Sequence, residues 1–466
     1  MNIAIKLKNL ILVIFLLGVF FIPFNSFKGF AIFGVLGEYN RDSCVLFFLL
    51  CSVILFTTGK IKIPYHNIIF QLLILFIFWV ILSVVFNSYD MFGYYYKQRT
   101  GFERFIRQFV SLLISAIILF ITFYNIIEKF DLKTIILKIR TIFLYSLVIV
   151  VVYGSIEFLI IKFHMDGLRS TLHLFDYFPF TSVNIDKWTR RISSVTFEPP
   201  ALATYLLSIA GWMFSYILTG KGFKRFLPGI FVILFAFLSE SRAVFFIIII
   251  QVFVFILFLI RKRKFNSLFA KIFLVSVFAG AAVVTFFLKS TVEYVYDELT
   301  SFKIDDSVHS TSNKTRFGIQ TAMFEVFKES PIVGAGYGLQ AFESTKKYPK
   351  WATEDNWEFR LKHLNENHPS FPPGFNLYLR ILAETGIIGF FILITFFISI
   401  LMWCYNKTFK NPSGSTVIPL ILMISMVGYI FNWLKTDTFR VYGFWLCLAI
   451  IMVMIKQNKQ LINESK

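Results

Sequence analysis

Residues 310–316 read Ser-Thr-Ser-Asn-Lys-Thr-Arg and residues 331–338 read Pro-Ile-Val-Gly-Ala-Gly-Tyr-Gly, within the longest polar stretch of the sequence, Lys289 to Pro373. Nine apolar stretches precede it and three follow it. About 20 apolar residues suffice to cross about 30 Å of hydrocarbon, so each apolar stretch is a candidate membrane span. The sequence therefore predicts transmembrane helices 1–9 in residues 1–288, a large extracytoplasmic (periplasmic) loop in residues 289–373, and transmembrane helices 10–12 in residues 374–466.

Composition excludes an ordinary soluble protein. Of the 466 residues 57% are hydrophobic and 16% are charged, whereas soluble domains are about 45–50% apolar. The formal net charge of +19 would suit a nucleic-acid partner, but no basic soluble domain is present in the sequence to carry it. Basic residues that flank membrane spans explain the charge better. We therefore expect membrane lipid around the chain and no nucleic-acid binding.

The apolar stretches predict an all-α polytopic integral membrane protein with about twelve transmembrane helices. Lys6 and Lys8 precede the first stretch, as in a signal peptide. No small-residue cleavage site follows, so we interpret this stretch as a retained span. The expected spans are about 8–24, 43–58, 66–87, 106–126, 140–162, 198–219, 226–240, 242–260, 268–288, 374–403, 415–434 and 440–455.

Basic residues in the short connections indicate the orientation. If the amino terminus is cytoplasmic, every second connection is cytoplasmic too, and each short connection assigned there is basic, as the positive-inside rule requires. These connections and the final segment contain Lys60, Lys62, Lys129, Lys133, Lys138, Arg140, Lys221, Lys224, Arg225, residues 261–264, Lys407, Lys410, Lys456 and Lys459. We therefore expect a multi-pass protein with both termini in the cytoplasm.

Arginine is distributed unevenly between the two sides. On this topology twelve of the sixteen arginines are extracytoplasmic: Arg41, Arg99, Arg104, Arg107, Arg169, Arg190, Arg191, Arg242, Arg316, Arg360, Arg380 and Arg440. Some of these solvate loops, but others lie at span ends, where a guanidinium without a partner costs a few kcal/mol. Planar guanidinium groups suit phosphate oxygens better than lysine does. The pattern indicates an anionic ligand at the outer surface of the membrane.

A carboxylate stands at the mouth of the sixth expected span. The preceding loop ends in Arg190 and Arg191, and Glu198 follows directly before two prolines, which start a helix well. One interpretation is a helix-start acid that the helix dipole favours. The other is a carboxylate that points into an outer cavity, with Arg190 and Arg191 as its partners.

A short polar turn joins the seventh and eighth expected spans. Residues 239–242 read Ser-Glu-Ser-Arg, which a solvated turn or a functional hairpin would explain. Turns favour Gly, Asn or Pro over Glu and Arg, so the functional interpretation is preferred. Other site chemistries find little support. The glycines of residues 334–338 lack the spacing of a nucleotide-binding loop, and His363 and His368 lack a third nearby metal ligand.

Three segments carry motifs in a fixed order. Residues 197–206 read Phe-Glu-Pro-Pro-Ala-Leu-Ala-Thr-Tyr-Leu, and the Ser-Glu-Ser-Arg turn follows. The third segment begins at Arg316, continues through residues 331–338 and resumes at residues 376–389, Asn-Leu-Tyr-Leu-Arg-Ile-Leu-Ala-Glu-Thr-Gly-Ile-Ile-Gly. Together they resemble the O-antigen polymerase and O-antigen ligase superfamily of bacterial envelope glycosyltransferases, over most of residues 190–400.

The resemblance implies an all-helical C-type glycosyltransferase fold in the bacterial cytoplasmic (inner) membrane. It implies metal-independent transfer, without a cofactor, from undecaprenyl-pyrophosphate-linked glycans, whose lipid pyrophosphate is the leaving group. Clustered arginines can neutralise the charge that develops on that group. A chain-length regulator or a flippase would be a fitting partner. Loop aromatics such as Trp351 and Trp357 would stack on sugars or pack within the loop. The expected substrate-binding residues are Arg191, Arg242, Arg316, Arg380 and Tyr337.

One departure from the family pattern separates the two family functions. Ligases carry a histidine directly before the asparagine of the last motif, whereas this sequence has Phe375 before Asn376. The departure favours a polymerase that joins repeat units over a ligase, as does the Glu-Pro element. A transporter or flippase is the alternative outside the family, but such proteins show matching halves with broken helices, and we find no internal repeat.

Glycosyl transfer needs a base for the acceptor hydroxyl, and the outer side offers four candidates. Glu240 adjoins Arg242, and Glu384 lies four residues after Arg380, a spacing that favours a helical ion pair. The remaining two candidates are Glu198, which we place first, and His368, which we place second because it does not occupy the family's histidine position.

Overall fold

The computed structural model describes residues 2–30, 37, 39–59, 61–185, 191–262, 310–410 and 417–464. These parts are mostly helical, and their strands are limited to one hairpin, β1 (Tyr95–Tyr96) with β2 (Arg99–Thr100). The longer helices are α1 (Asn2–Phe20), α2 (Ser43–Thr58), α3 (Ile68–Phe86), α4 (Gly101–Glu128), α5 (Leu132–Phe163), α6 (Pro199–Thr219), α7 (Leu227–Leu238), α8 (Arg242–Arg261), α9 (Ser310–Glu329), α10 (Leu377–Tyr405), α11 (Val417–Asn432) and α12 (Tyr442–Glu464).

The helical fold class is confirmed, and the expected number of spans stays a prediction. Helices α1–α8 and α10–α12 overlap eleven expected spans, whereas the ninth, about 268–288, lies outside the described residues. Among the described residues, six helices are long and apolar enough to cross a membrane, namely α3, α4, α5, α6, α8 and the α10 region Leu377–Lys410. Helix α7 has 12 residues and is therefore roughly 18 Å long, shorter than a bilayer core.

Polar side chains link helices inside the apolar bundle. Gln251 of α8 donates hydrogen bonds from Nε2 to the carbonyl oxygens of Leu207 on α6 and Ile424 on α11, both at 3.0 Å. Gly211 lets α6 approach α11 closely, because a Cβ there would lie 2.6 Å from the carbonyl oxygen of Ile421. Small residues and buried hydrogen bonds of this kind hold helices together where lipid supplies no hydrophobic drive.

Helix α10 is interrupted, and the glycine-rich loop segment docks on the interruption. Gly386 has φ 65° and ψ −168°, which is not helical. The amide of Ile387 donates to the carbonyl oxygen of Pro331, and the amides of Ala335 and Gly336 donate to those of Ala383 and Glu384, each at 2.9 Å. Residues 331–338 therefore satisfy backbone groups that the break in the helix would leave unpaired.

A buried lysine ties the loop before α10 to the β-hairpin. Lys97 is 2% exposed. Its ammonium donates to the carbonyl oxygens of Lys362, Asn365 and His368 at 2.7, 2.8 and 3.1 Å. These bonds use all three protons of the ammonium, so Lys97 fixes residues 362–368 to the β-hairpin.

Candidate functional site

The largest group of arginines meets in a cavity of about 350 Å³, which we call the arginine cavity. Its lining comes from β2 and the start of α4, from the first turn of α10, from the connection between α11 and α12, and from Gln340. Loop residues 369–373 cover it. Its charged lining residues are Arg99, Arg104, Arg107, Arg380, Asp437 and Arg440. All five arginines belong to the twelve that the topology places outside, so a set that is scattered in sequence converges here.

Arg380 is held rigidly at the base of this cavity. It is 6% exposed, and its Nε donates to Oε1 of Glu384, which is fully buried, at 3.1 Å. Its other nitrogens donate to the Asp437 carbonyl oxygen at 2.7 Å and to Oε1 of Gln108 at 3.0 Å. The predicted Arg380–Glu384 pair is confirmed. Burying two charges is tolerable because each is neutralised by a bonded partner.

A second cavity of about 300 Å³ adjoins the first, and we call it the carboxylate cavity. Glu198 and Thr204 of the α6 segment line one side, and Lys435 lines the other. Thr438 and Arg440 line both cavities, so the connection between α11 and α12, residues 433–441, forms the wall that the two share. Sequence reasoning singled out only Arg440 in this connection.

The Glu198 side chain does not cap the helix that follows it. It is the N-cap residue of α6, with extended φ −160° and ψ 156°, yet its side chain makes no capping hydrogen bond. By contrast, Thr100 caps α4 through a complete capping box. The Glu198 side chain is exposed on the surface of the cavity that it lines. The geometry therefore favours the cavity-facing carboxylate over the helix-start acid.

The electrostatic surroundings of Glu198 are cationic. Partial withdrawal from bulk water raises the pKa of its carboxyl group, while the charges of Lys435, Arg191, Arg316 and Arg41 act to lower this pKa. A raised pKa in a cavity with specific charged partners is typical of functional carboxylates.

A buried carboxylate fixes the segment that leads to Glu198. Glu157 of α5 is fully buried. It accepts hydrogen bonds from the amide and hydroxyl of Ser193 and, at 2.7 Å, from the amide of Ser194. Ser194 has φ +52°, a strained value for a non-glycine residue. Nothing in the sequence indicates this role, because Glu157 is an isolated acidic residue in an apolar stretch.

Three further predicted arginines, Arg191, Arg242 and Arg316, belong to the electrostatic surroundings of Glu198 or of one another. Arg191 donates to the carbonyl oxygens of Ser239 and Glu240, at 3.0 and 2.8 Å from Nη2, and so fixes the polar turn before α8. On α9, burial lowers the pKa of the Arg316 guanidinium. The charges of Glu358 and Glu198 raise this pKa, whereas those of Arg191 and Arg242 lower it further. These residues therefore belong to one electrostatic group.

The structure tests one of the two remaining residues that the sequence assigned to this group. Arg190 lies outside the described residues. The Glu240 carboxylate pairs with Lys162 at 2.8 Å.

Lys435 is the functional candidate that sequence reasoning missed. Its ammonium donates to the Thr204 hydroxyl at 3.1 Å. Burial lowers the pKa of Lys435 to about 7, with Glu198 opposing this change and Arg316 and Arg191 adding to it. Nothing in its neighbourhood in the sequence, Leu-Lys-Thr-Asp, distinguishes it from a loop lysine.

Two predicted residues stand apart from this group. His368 contributes its carbonyl oxygen to Lys97, and its Nδ1 accepts from the amide of Ser370 at 3.4 Å. Within the described residues, neither cavity has His368 in its lining. Tyr337 is 2% exposed, with its ring 5.3 Å from the guanidinium carbon of Arg380. This burial favours packing within the loop over contact with sugar, whereas Trp351 and Trp357 are 40% and 46% exposed.

Comparison with known families supports the resemblance. Residues 227–394 match a family model described as O-antigen ligase. No curated protein matches the chain. The matched segment contains the turn before α8, Arg316 and Arg380, but neither Glu198 nor residues 433–441. The resemblance to the O-antigen polymerase and ligase superfamily is thereby confirmed for this part of the chain.

Proposed function

We propose that this membrane enzyme of the O-antigen polymerase or ligase class is a polymerase. It joins undecaprenyl-pyrophosphate-linked oligosaccharide repeat units into a surface polysaccharide, such as O-antigen, capsule or exopolysaccharide, on the outer side of the bacterial cytoplasmic membrane. The family match supports a lipid-linked glycan as substrate. The distinction between polymerase and ligase rests on the arrangement of charges in the site.

One observation carries the polymerase proposal: two cationic groups adjoin at a shared wall. Five arginines line the arginine cavity, and Arg191, Arg316 and Lys435 act on Glu198 in the next cavity. A polymerase holds two lipid-pyrophosphate substrates at once, a donor chain and an acceptor unit, because both are attached to lipid when they bind. Two separate sets of cations beside one carboxylate suit that requirement, since arginine binds phosphate oxygens through paired hydrogen bonds.

The arrangement supports a direct displacement. The acceptor sugar hydroxyl attacks the anomeric carbon of the donor, the bond from that carbon to the pyrophosphate oxygen breaks, and the pyrophosphate keeps the electron pair. Glu198 accepts the hydroxyl proton as the new bond forms. Arg191, Arg242 and Arg316 stabilise the charge that develops on the leaving group, in positions fixed before reaction.

A ligase, which transfers the finished glycan to a different acceptor, is the second candidate. It is favoured by the description of the matched family model. The residue that precedes Asn376 argues against it, because Phe375 cannot act as a base and its ring instead lies 5.4 Å from the Arg316 guanidinium carbon. A transporter finds less support, since a matched enzyme family accounts for the segment around the site.

Purified protein in liposomes, supplied with lipid-linked repeat unit, should produce a ladder of longer lipid-linked glycans. A ligase would leave the repeat unit unpolymerised and transfer it only to an added second acceptor. Arg316→Ala should remove the long products, because the donor pyrophosphate loses a paired contact, and Arg316→Lys should restore them only in part.

Arg169→Ala is the matched control for this assay. Arg169 is another expected outer arginine, 40% exposed and paired with Asp166, so its replacement should leave the ladder intact. Wild-type ladders from Arg316→Ala would exclude Arg316 from the site, and no ladder from the wild-type protein would overturn the polymerase proposal.

The orientation and the division into 1–288, 289–373 and 374–466 remain part of this proposal. The four native cysteines, Cys44, Cys51, Cys404 and Cys447, are all buried, which gives a low background for labelling. A cysteine placed at the exposed position Glu354 should react with an impermeant thiol reagent in intact spheroplasts. A cysteine at the exposed position Lys221 should react only after permeabilisation. The reverse pattern would place the candidate site in the cytoplasm and exclude the proposed reaction.

A further inference from the structure

Lys435 occupies a defined place in the carboxylate cavity. It lies in the connection between α11 and α12, opposite the first turns of α6, and its ammonium donates to Thr204 at 3.1 Å. Thr204 follows Glu198 by six residues on the same helix, and its own hydroxyl donates to the Pro200 carbonyl oxygen at 2.8 Å. This bond holds the Lys435 ammonium against α6, and Glu198 lines the same cavity.

Most charged groups around Lys435 are cations. Glu198, Arg316 and Arg191 act on its charge, and Asp42 and Arg440 also line the cavity. The Asp42 carboxylate is engaged by Arg440 at 3.1 Å and by the Tyr442 hydroxyl at 2.6 Å. Glu198 is thus the carboxylate that acts on Lys435, against two guanidinium groups. Burial among cations makes the neutral amine accessible, in agreement with a Lys435 pKa of about 7.

We propose that Lys435 is a positioning residue that acts through Glu198: it receives the proton that Glu198 takes from the acceptor hydroxyl, and so regenerates the carboxylate for the next transfer. This inference rests on the proposed glycosyl transfer for its chemistry. The contacts and the titration of Lys435 do not depend on that reaction and can be measured without substrate.

The proton balance of the cycle is complete. Transfer breaks the acceptor O–H bond and leaves the proton on Glu198, while the displaced pyrophosphate keeps the electron pair of the broken C–O bond. The proton then passes through water in the cavity that both side chains line to the neutral Lys435 amine, which becomes an ammonium and releases the proton to bulk water. Arginine cannot serve in this way because it stays protonated. A polymerase that repeats the reaction on one growing chain needs such a reset after every unit.

Titration of Lys435 in the purified protein tests the pair without any substrate. The rate at which an amine-reactive acylating reagent labels Lys435, followed by mass spectrometry across pH, should show half-maximal reactivity near neutral pH. Glu198→Gln should move this midpoint to lower pH, because the ammonium loses its stabilising carboxylate. Lys328, 53% exposed on α9, is the internal reference and should not move. An unchanged pH midpoint of Lys435 labelling in the Glu198→Gln variant would contradict the electrostatic coupling between the two residues.

Turnover of Lys435 variants tests the role in the reaction. Lys435→Arg keeps a positive charge and a donor for Thr204 but cannot accept a proton, so we expect a loss of about a hundredfold, the lower end of the range for proton transfer. Lys435→Ala should lose as much, and added small primary amines should restore it in proportion to their unprotonated fraction. A structural role would not respond to free amine.

The outcomes separate the two proposals. If the titration of Lys435 depends on Glu198 but Lys435→Arg keeps normal turnover, Lys435 does not carry the proton. The polymerase proposal would then remain intact. Coupled titration in a protein that makes no polymer would instead remove the polymerase proposal and leave the pair as a feature of the cavity.

Discussion

Replacing Glu198 with glutamine is expected to lower polymerisation turnover by about 10²–10⁴-fold, the contribution typical of a positioned base. Glutamine keeps the size of the side chain and removes only the proton acceptor. Because Glu198 makes no capping hydrogen bond, α6 should form as before and protein levels should hold. The measurement is the rate of ladder formation from lipid-linked repeat unit by the purified variant.

The pH dependence gives the same prediction a second readout. A base must be ionised to act, so the wild-type rate should rise as pH increases through the pKa of Glu198, which burial raises from its ordinary value. This limb of the profile should be absent from the Glu198→Gln variant. Glu325→Gln, on the exposed surface of α9 where Glu325 pairs with Lys328, should change neither rate nor profile.

If Glu198→Gln retained more than about a tenth of wild-type turnover, the loss would be smaller than the smallest loss expected when a base is removed. Glu198 would then have a structural role. His368 would then take its place only if His368→Gln were itself inactive. That second outcome would require residues 362–368, which Lys97 fixes, to move toward the carboxylate cavity when substrate binds.

Replacing Gly386 with alanine is expected to abolish the folded site rather than one of its functions. The added Cβ would lie 2.1 Å from the carbonyl oxygen of Ile332, a contact that forces the loop off α10. In addition, φ 65° with ψ −168° is a conformation essentially restricted to glycine, and other residues there cost about 1–3 kcal/mol. Since Arg380 and Glu384 lie in the turns before this break, the arginine cavity should lose its base.

The measurements are the thermal unfolding midpoint in detergent and the monodisperse fraction after purification, both of which should fall. Gly334→Ala should behave alike, because its Cβ would lie 2.4 Å from the carbonyl carbon of Glu384. Gly167→Ala is the control, since no atom lies within 4 Å of a Cβ at that position. Normal stability and activity of Gly386→Ala would show that residues 331–338 need not dock on the break.

Several features of the site could be predicted from sequence because they depend on local spacing. Apolar stretches of sufficient length have few alternatives to helices in a membrane, since their backbone groups must be satisfied internally. The Arg380–Glu384 pair follows from four-residue helical spacing. The twelve arginines that the predicted topology places outside indicated an anionic ligand before any contact was known, and five of them line one cavity.

The amino-acid sequence by itself determined the helical class and the position of Glu198 at a helix start, because each depends on residues within a few turns of one another. Only the tertiary structure decided that Lys435 meets Thr204 across 231 positions, and that Glu157 holds the segment before Glu198. The same is true of the break at Gly386, which residues 331–338 complete. The local sequence around an isolated glutamate or glycine in an apolar stretch does not identify the residue that it contacts, because helix packing determines that contact.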